Sequence, residues 1–421
     1  MVSSGVTYAQ STPGISPDDA IDPEASVEGA GIKVGEGTVL HPVFGVETGF
    51  VSNVFYEESQ TNSAGLLRLL AQLSAGSLSQ QRLAAPGVTD QPTNAGAFQY
   101  RFHANLSYDF YLSSNDAVQE QGGLGAGLLF RGLVNPNRPW SFGVLEEFQR
   151  VIRETNFESP SNTNRIINHL NLSLSFTPTG RTVSGILHYD NTIDIFESDN
   201  QDFADRMQHM AGIRVNHLLF PKTRLYADVS VGYYSGLGED STKVTSYPLI
   251  TQVGIQTALT VATSIVARAG YTNGFYTEGP SYSAALFGVQ LGWRYSPLGS
   301  MFAQYDYTHN DSINANFYRD HKFGLNIEQR LAPVSLIIHP EVMLREYQGL
   351  LVMGNSPTRK DLILSGLAEV RYSLRDWMAA SINYQISTVQ TDFRYMPDAG
   401  GPAVDPSYVR HEILAGLRAA L

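Results

Sequence analysis

The chain has 421 residues, no cysteine, 16% charged residues, 11% aromatic residues and a formal net charge of −12. The lack of cysteine excludes disulfides, thiol nucleophiles and cysteine-bound metals. The acidic balance argues against nucleic acid as a partner, because phosphate binding requires basic patches. Soluble domains carry about 25% charged residues, so this composition is unusual for a soluble surface. No run approaches the roughly 18 apolar residues of a membrane-spanning helix, which excludes a helical membrane protein.

The first 37 residues differ in composition from the rest of the chain. Thr7 and Ala9, before Gln10, are the small residues that a signal-peptidase site needs, although a plain disordered leader fits them equally well. Residues 10–37 combine proline, glycine and serine with acidic side chains, which disfavours a packed core. We therefore expect residues 1–37 to be a signal-peptide remnant with a flexible acidic tail, and residues 38–421 to form one domain.

Long alternating segments begin after residue 37 and continue to the end. In FQYRFHANLSYDFYL, residues 98–112, every second side chain is apolar and those between are mostly polar. Side chains of a strand alternate between two faces, so the segment predicts a strand with unlike surroundings on its two sides. Residues 224–234, 335–345 and 377–387 repeat the pattern. Charged groups on the polar face would be costly in a dry core.

The connections between these segments alternate between short and long. Short turns are expected at 175–181, 219–224, 295–300, 329–335 and 373–377, and long polar loops at 196–206, 234–246, 347–361 and 393–408. Short periplasmic turns with long extracellular loops are typical of outer-membrane barrels, whose apolar band is flanked by aromatic girdles. Girdle candidates near the turns are Trp140, Trp293, Tyr295, Tyr305, Tyr307 and Trp377.

The predicted fold is therefore an all-β, transmembrane antiparallel barrel of about 18 strands, integral to the bacterial outer membrane and surrounded by lipid and lipopolysaccharide. Strands about 4.8 Å apart and tilted by about 40° would close into a ring roughly 36 Å across. Barrels of this size leave an aqueous channel unless they are plugged. The stretch 65–97 is the least periodic part of the domain.

The polar faces predict a lumen wall of mixed charge. Interspersed signs favour neutralised networks over a single selective ring. The candidate pore-lining residues are Arg101, His103, Asp109, His188, Asp190, Arg224, Tyr226, Asp228, Arg268, Arg294, Asp306, Lys322, Glu328, Glu341, Arg345, Glu369, Arg371 and Arg418.

No motif predicts a cofactor, a metal or catalysis. The four histidines on polar faces, at positions 103, 169, 188 and 339, fall on different strands without the close spacing of a metal site. His188 with Asp190 and Asp194 is the candidate set for a barrel hydrolase. Polar neighbours on one strand face are also what ordinary pore lining looks like, so we expect a protein that is not an enzyme.

The first strand resembles a known family. HPVFGVETGFVSNVFYEESQ, residues 41–60, is similar to the opening of a family of β-barrel outer-membrane porins in His41, Pro42, Asn53, Val54 and Phe55. Within that family the chain looks most like the exopolysaccharide-export porins of bacteria such as myxobacteria. The resemblance implies an 18-stranded barrel that passes a secreted polysaccharide and works with a periplasmic polysaccharide export protein. It implies no catalytic residues.

Three classes of function use the same wall. The leading expectation is a conduit for a secreted polysaccharide, and the alternative is a general or substrate-selective diffusion porin. The third is the barrel hydrolase.

Overall fold

The computed structural model describes residues 31–34, 38–59, 61–77, 97–136, 138–152, 164–178, 180, 182–238, 241–312, 314–351, 353–396 and 403–421. Most of the expected tail, residues 1–37, therefore lies outside the described residues. The strands are β1 (Ile32–Val34), β2 (Thr38–Val51), β3 (Ala64–Ser77), β4 (Phe98–Leu112), β5 (Gly123–Val134), β6 (Trp140–Val151), β7 (Arg165–Phe176), β8 (Val183–Phe196), β9 (Arg206–Phe220), β10 (Thr223–Gly236), β11 (Leu249–Ala258), β12 (Thr263–Asn273), β13 (Ser283–Ser296), β14 (Gly299–Asp311), β15 (Ala315–Leu331), β16 (Val334–Leu350), β17 (Arg359–Arg375), β18 (Met378–Thr391) and β19 (Tyr408–Ala420).

The strands form one closed antiparallel barrel. Each strand from β2 to β18 pairs with the next, and β19 pairs back with β2 from Glu412↔Val51 to Ala420↔Val43. Of the 19 strands, only β1 stands outside this ring of eighteen, and it pairs with the first residues of β2. The predicted fold is confirmed, and the weakly periodic stretch after residue 64 contains the regular 14-residue strand β3.

The outward face of the wall is apolar and the inward face is polar. Along β2, Phe44 and Phe50 are 56% and 47% exposed, whereas Glu47 between them is 1% exposed. In β4 the exposed side chains include Leu106 and Phe110. A closed barrel satisfies all of its backbone hydrogen bonds and presents an apolar band to lipid, so the chain is an integral outer-membrane protein.

Aromatic side chains gather at the short-turn end of the outward face. Trp140 packs on Phe176 with ring centroids 4.6 Å apart, and Trp293 packs on Tyr295 at 5.7 Å. Trp377 is also exposed there. These rings form the girdle expected at that end.

Tyr305 and Tyr307 do not lie at a turn. They are within β14, where Tyr305 packs on Phe323 at 4.5 Å and Tyr307 on Phe287 at 5.4 Å. The sequence placed both residues near a turn because Gly299 begins the strand only six positions earlier. The structure shows that a strand of this length carries them well away from it.

Connection lengths at the two ends differ, with two exceptions. One end has turns at 221–222, 297–298, 332–333 and 376–377, and the other has loops at 197–205, 237–248, 274–282 and 392–407. The exceptions are the long connection 78–97 at the short-turn end and the short one, 312–314, at the long-loop end. Antiparallel pairing fixes where strands end but not how far the chain extends between them, so strict alternation was wrong in these two places.

The helical structure in the described part of the chain lies at the long-loop end. The helix α1 (Asp116–Gln119) begins after Asn115, whose side chain accepts a hydrogen bond from the Ala117 N–H. A 3₁₀ turn covers Asp199–Ala204. Within the ranges described, no helix is long and apolar enough to cross a membrane.

Side chains reinforce the contact between the first and last strands. Pro42 lies where the neighbour of β2 changes from β1 to β19, and its carbonyl accepts from the Leu421 N–H at 3.1 Å. A proline has no N–H to leave unpaired at such a point. At the other end of β2, the Asn53 side chain donates to the carbonyls of Glu57 (2.7 Å) and Val409 (3.1 Å). Two of the five residues that resemble the porin family, Pro42 and Asn53, therefore add hydrogen bonds at the two ends of the β2–β19 ladder.

The long loops are hydrogen-bonded to one another. Thr277 N donates to the Thr245 carbonyl at 3.0 Å, which joins the loops 237–248 and 274–282. Lys243 Nζ donates to the Ser312 carbonyl at 2.7 Å and so connects the first of these loops to the β14–β15 turn. Further along, Asn355 and Arg394 join the loops 351–358 and 392–407. The described residues of these neighbouring loops are thus linked by hydrogen bonds.

Candidate functional site

The predicted pore-lining residues all lie on the inward face of the wall, by strand parity. In β10, for example, Arg224 and Asp228 alternate with the exposed residues Val229 and Val231. They are not equally accessible, because some are half-buried and others are covered by neighbouring side chains. The buried ones are Asp190, Asp228, Glu341, Arg345, Glu369, Arg371 and Arg418. That these residues contact a permeating solute stays a prediction.

The seam between the first and last strands carries a buried ionic network. Arg418 of β19 donates to Glu47 of β2 at 2.7 Å. Arg68 of β3 donates twice to Asp109 of β4, at 2.7 and 2.9 Å, and lies 3.4 Å from Glu412 of β19. Four strands are therefore cross-linked at the point where the ring closes.

A second network runs around the wall from β6 to β10. His169 lies 3.5 Å from Glu147 through Nδ1 and 3.6 Å from Asp190 through Nε2. His188 lies 3.1 Å from Asp190 through Nδ1 and 3.3 Å from Asp228 through Nε2. Acids and histidines alternate along this chain of contacts, so each imidazole bridges two carboxylates on neighbouring parts of the wall.

A glycine makes one of these bridges reach across a whole strand. His188 is on β8 and Asp228 is on β10, and Gly212 of β9 lies between them. A Cβ at position 212 would be 2.5 Å from His188 Nε2 and 2.4 Å from Ser230 Oγ. The missing side chain at Gly212 therefore leaves the space in which the His188 imidazole crosses β9.

The same arrangement recurs four strands further around the barrel. Arg268 of β12 donates to Asp306 of β14 at 2.6 Å. Between them a Cβ on Gly288 of β13 would be 2.4 Å from the Asp306 carboxylate. Inward glycines thus allow charged side chains to lie along the wall rather than project into the lumen.

The members of the candidate hydrolase set are held by different partners. The ring nitrogens of His188 lie 3.1 Å from the Asp190 carboxylate and 3.3 Å from the Asp228 carboxylate. Asp194, the third member of the candidate set, is bound instead to Arg165 (3.0 Å) and Arg206 (2.8 Å). Among the residues that the structure describes, no group of three or more histidine, aspartate or glutamate side chains could hold a metal ion.

Near the long loops the wall is built from arginine, aspartate and tyrosine. Arg345 makes two 2.9 Å hydrogen bonds to Asp320, and Arg359 makes an ion pair with Asp361 at 2.7 Å. All four side chains are at most 1% exposed. The guanidinium groups stack on aromatic rings, with Arg345 3.6 Å from one ring centroid. The rings of this arginine–tyrosine ladder are Tyr318, Tyr347 and Tyr395.

The long loops hold two groups with shifted pKa values. Burial raises the pKa of Tyr276 well above its ordinary value, and the adjacent Asp311 carboxylate adds to the shift. Burial also raises the pKa of Asp205, opposed by the hydrogen bond from the Phe196 N–H at 2.8 Å. Both groups are kept in their neutral forms over a wider pH range than in water.

The described residues at the short-turn end of the lumen leave a large space between them. A cavity of about 1620 Å³ lies between the inward ends of β6 to β15 and the turns that join them. Many hydroxyl groups line it, and Phe302 presents an exposed ring to it from the inward face of β14. Its charged lining residues are Arg138, Lys222, Arg224, Arg294, Glu328 and Arg330.

Sequence reasoning missed several members of the networks. Arg68 lies in AGLLRLLAQLSAGS, which reads as a continuous apolar run, yet Arg68, Gln72 and Ser74 share the inward face. Their common parity was the signal that could have found them. Glu47 was passed over as one acid in an apolar strand. Further inward residues that belong to ion pairs are Glu147, Arg165, Arg206, Arg214, Asp320, Arg359, Asp361, Arg410 and Glu412.

The sequence matches no protein-family model and no curated protein. Solved structures similar in fold include Pseudomonas aeruginosa OpdO, with 10% identity over 91% of this chain and 97% of that chain and a TM-score of 0.43. Another is P. aeruginosa OccK2 (OpdF) in complex with glucuronate, with 9% identity, coverage of 90% and 98% and a TM-score of 0.44. The FrpB iron transporter of Neisseria meningitidis has 9% identity, coverage of 92% and 82% and a TM-score of 0.43.

Proposed function

We propose that the protein is a passive, substrate-selective diffusion channel of the outer membrane. The observation that carries this proposal is the contrast between an open cavity at the short-turn end and a crowded wall at the long-loop end. Arg359, Tyr234 and Tyr347 are at most 1% exposed at the long-loop end. We propose that the bore is narrow where these side chains pack, because a narrow section is where a channel discriminates between solutes.

The ion pairs of the barrel wall are compatible with passive diffusion. Most inward charges pair with opposite charges at 2.6 to 3.0 Å, which holds in place the side chains that a solute would pass. No reaction needs to be catalysed for a solute to diffuse through such a bore.

The test is single-channel conductance of the purified full-length protein in planar bilayers. We expect discrete conductance steps, which added saccharides reduce to an extent that depends on the saccharide. A protein that inserts as a folded barrel and yet conducts no ions would overturn the proposal. Control recordings with detergent alone exclude leak.

A second candidate function is the conduit for a secreted polysaccharide. The exposed ring of Phe302 inside a cavity lined by hydroxyls offers a surface on which a sugar ring could stack. This candidate would also require a periplasmic polysaccharide export protein as partner. A strain without the gene that still secretes the normal amount of polysaccharide would exclude it, and co-purification of the partner after deletion of residues 10–37 would exclude docking by that segment.

A further inference from the structure

The cavity at the short-turn end has an unbalanced charge. Five of its lining residues are cationic and one, Glu328, is anionic. That carboxylate is already bound to Arg330 at 2.7 Å. The other cationic lining residues are Arg138, Lys222, Arg224 and Arg294. Within the described parts of the chain, none of these four has a carboxylate within ion-pair distance. We call them the vestibule cations.

This imbalance is local, because the wall above is neutralised. Arg268, Lys322 and Arg371, which also face inward, each have a carboxylate within 2.7 Å. Nine exposed carboxylates decorate the long-loop end of this acidic chain: Glu57, Glu58, Asp116, Glu120, Glu197, Asp199, Asp202, Glu278 and Asp392. The positive field of the vestibule is therefore not part of a general excess of basic residues.

The positions of the vestibule cations favour a solute over a protein partner. Arg224 and Arg294 lie on the inward faces of β10 and β13, among hydroxyls such as Thr223 and Ser264. A protein docking on the barrel would meet the turns, which carry Arg138 and Lys222, before it reached Arg224 and Arg294. Cations and hydroxyls that converge in a low-dielectric funnel concentrate anions at its mouth.

We infer that the vestibule cations form an anion-selecting entrance, and that the channel takes anionic solutes such as carboxylate-bearing saccharides at its short-turn end. This inference rests on the proposed channel function and names the substrate class of that channel. Guanidinium and ammonium groups bind carboxylates by charge-assisted hydrogen bonds, which neutral sugars do not offer.

The test measures ion selectivity in planar bilayers under a KCl gradient, at concentrations near 0.1 M, where the Debye length is about 10 Å. We expect the reversal potential to show that chloride is more permeant than potassium. In the triple variant Lys222→Gln, Arg224→Gln, Arg294→Gln the chloride-over-potassium permeability ratio should fall on the order of tenfold. Repeating the measurement near 1 M salt should reduce the difference between the two proteins.

Two trisaccharides of equal length serve as solute probes. Trigalacturonate carries a carboxylate on each sugar and maltotriose carries none. We expect trigalacturonate to block the wild-type channel at lower concentration than maltotriose, and the triple variant to lose on the order of tenfold in affinity for trigalacturonate alone.

The matched control is Lys360→Gln, which removes one cation from the outward face near the long loops, compared with Arg294→Gln, which removes one from the vestibule. Only Arg294→Gln should change selectivity. A conducting wild-type channel without anion preference, or one whose preference survives the triple variant, would overturn the inference while leaving the channel function intact. Absence of any conductance would instead refute the proposed function.

Discussion

The two ends of the lumen use cationic side chains in opposite ways. At the long-loop end, Arg345 and Arg359 are buried, each bound to a carboxylate and stacked on tyrosine. At the short-turn end, Arg224 and Arg294 line an open cavity and have no carboxylate partner among the described residues. The same residue type thus cross-links the wall at one end and presents its charge to the lumen at the other.

The difference follows from solvation. A buried guanidinium is tolerated only when it is paired and hydrogen-bonded, because desolvating an unpaired charge is costly. A cation that faces water keeps its hydration and needs no partner, so its charge remains available to a solute. Paired charges should therefore matter for stability, and unpaired ones for selectivity.

The largest effect is expected from breaking the buried pair at the long-loop end. Arg345→Met leaves the Asp320 carboxylate buried without its partner, which should lower the free energy of unfolding by about 3–5 kcal/mol. Urea titration of protein refolded in lipid vesicles, followed by tryptophan fluorescence, measures this. The control is the double variant Asp320→Leu, Arg345→Met, which should recover most of the loss. A double variant as unstable as the single one would show that the pair is not the cause.

A smaller effect is expected from blocking the bridge across β9. Gly212→Val places a side chain where His188 and Ser230 lie, which should cost about 1–3 kcal/mol through overpacking. Gly185→Val is the control, because position 185 is on the outward face of β8 with nothing within 4 Å of a Cβ. The same urea titration should detect no more than about 0.5 kcal/mol for the control. Equal losses in the two variants would contradict the role assigned to the gap at Gly212.

The smallest effect on stability is expected at the short-turn end. Lys222, Arg224 and Arg294 have no ion-pair partner among the described residues. Replacing each by glutamine should therefore change the free energy of unfolding by no more than about 0.5 kcal/mol. The same titration applied to the triple variant measures the sum. A loss as large as that of Arg345→Met would mean that these cations are structural, and the comparison between the two ends would fail.

Most of the architecture could be predicted from strand periodicity. The alternation in residues 98–112 is the alternation of β4, and the polar set from Gln99 to Asp109 faces inward as expected. The strand count followed from turn positions such as 297–298 and 332–333. The lengths of the connections 78–97 and 312–314 did not follow the expected alternation of short turns and long loops. Strand pairing does not constrain the length of the chain between two strands.

The candidate site could be predicted only in part. Parity assigned His188, Asp190 and Asp228 to one face, but it gave no sign that Gly212 would let His188 reach over a strand. Nor did it separate Arg345, which is buried and paired, from Arg294, which is exposed. Each of them follows a large apolar residue in the sequence, Leu344 or Trp293.

The sequence by itself determined the fold class, the location in the outer membrane and which residues face inward. The reason is that the alternation of apolar and polar residues is a property of each short segment, and a strand has only two faces. The tertiary structure alone decided which charges neutralise each other, because those partners come from strands far apart in the chain. Arg418 and Glu47, for example, meet only when the ring closes. It also decided where charge is left over, since an unpaired cation is defined by the carboxylates that are absent around it in space.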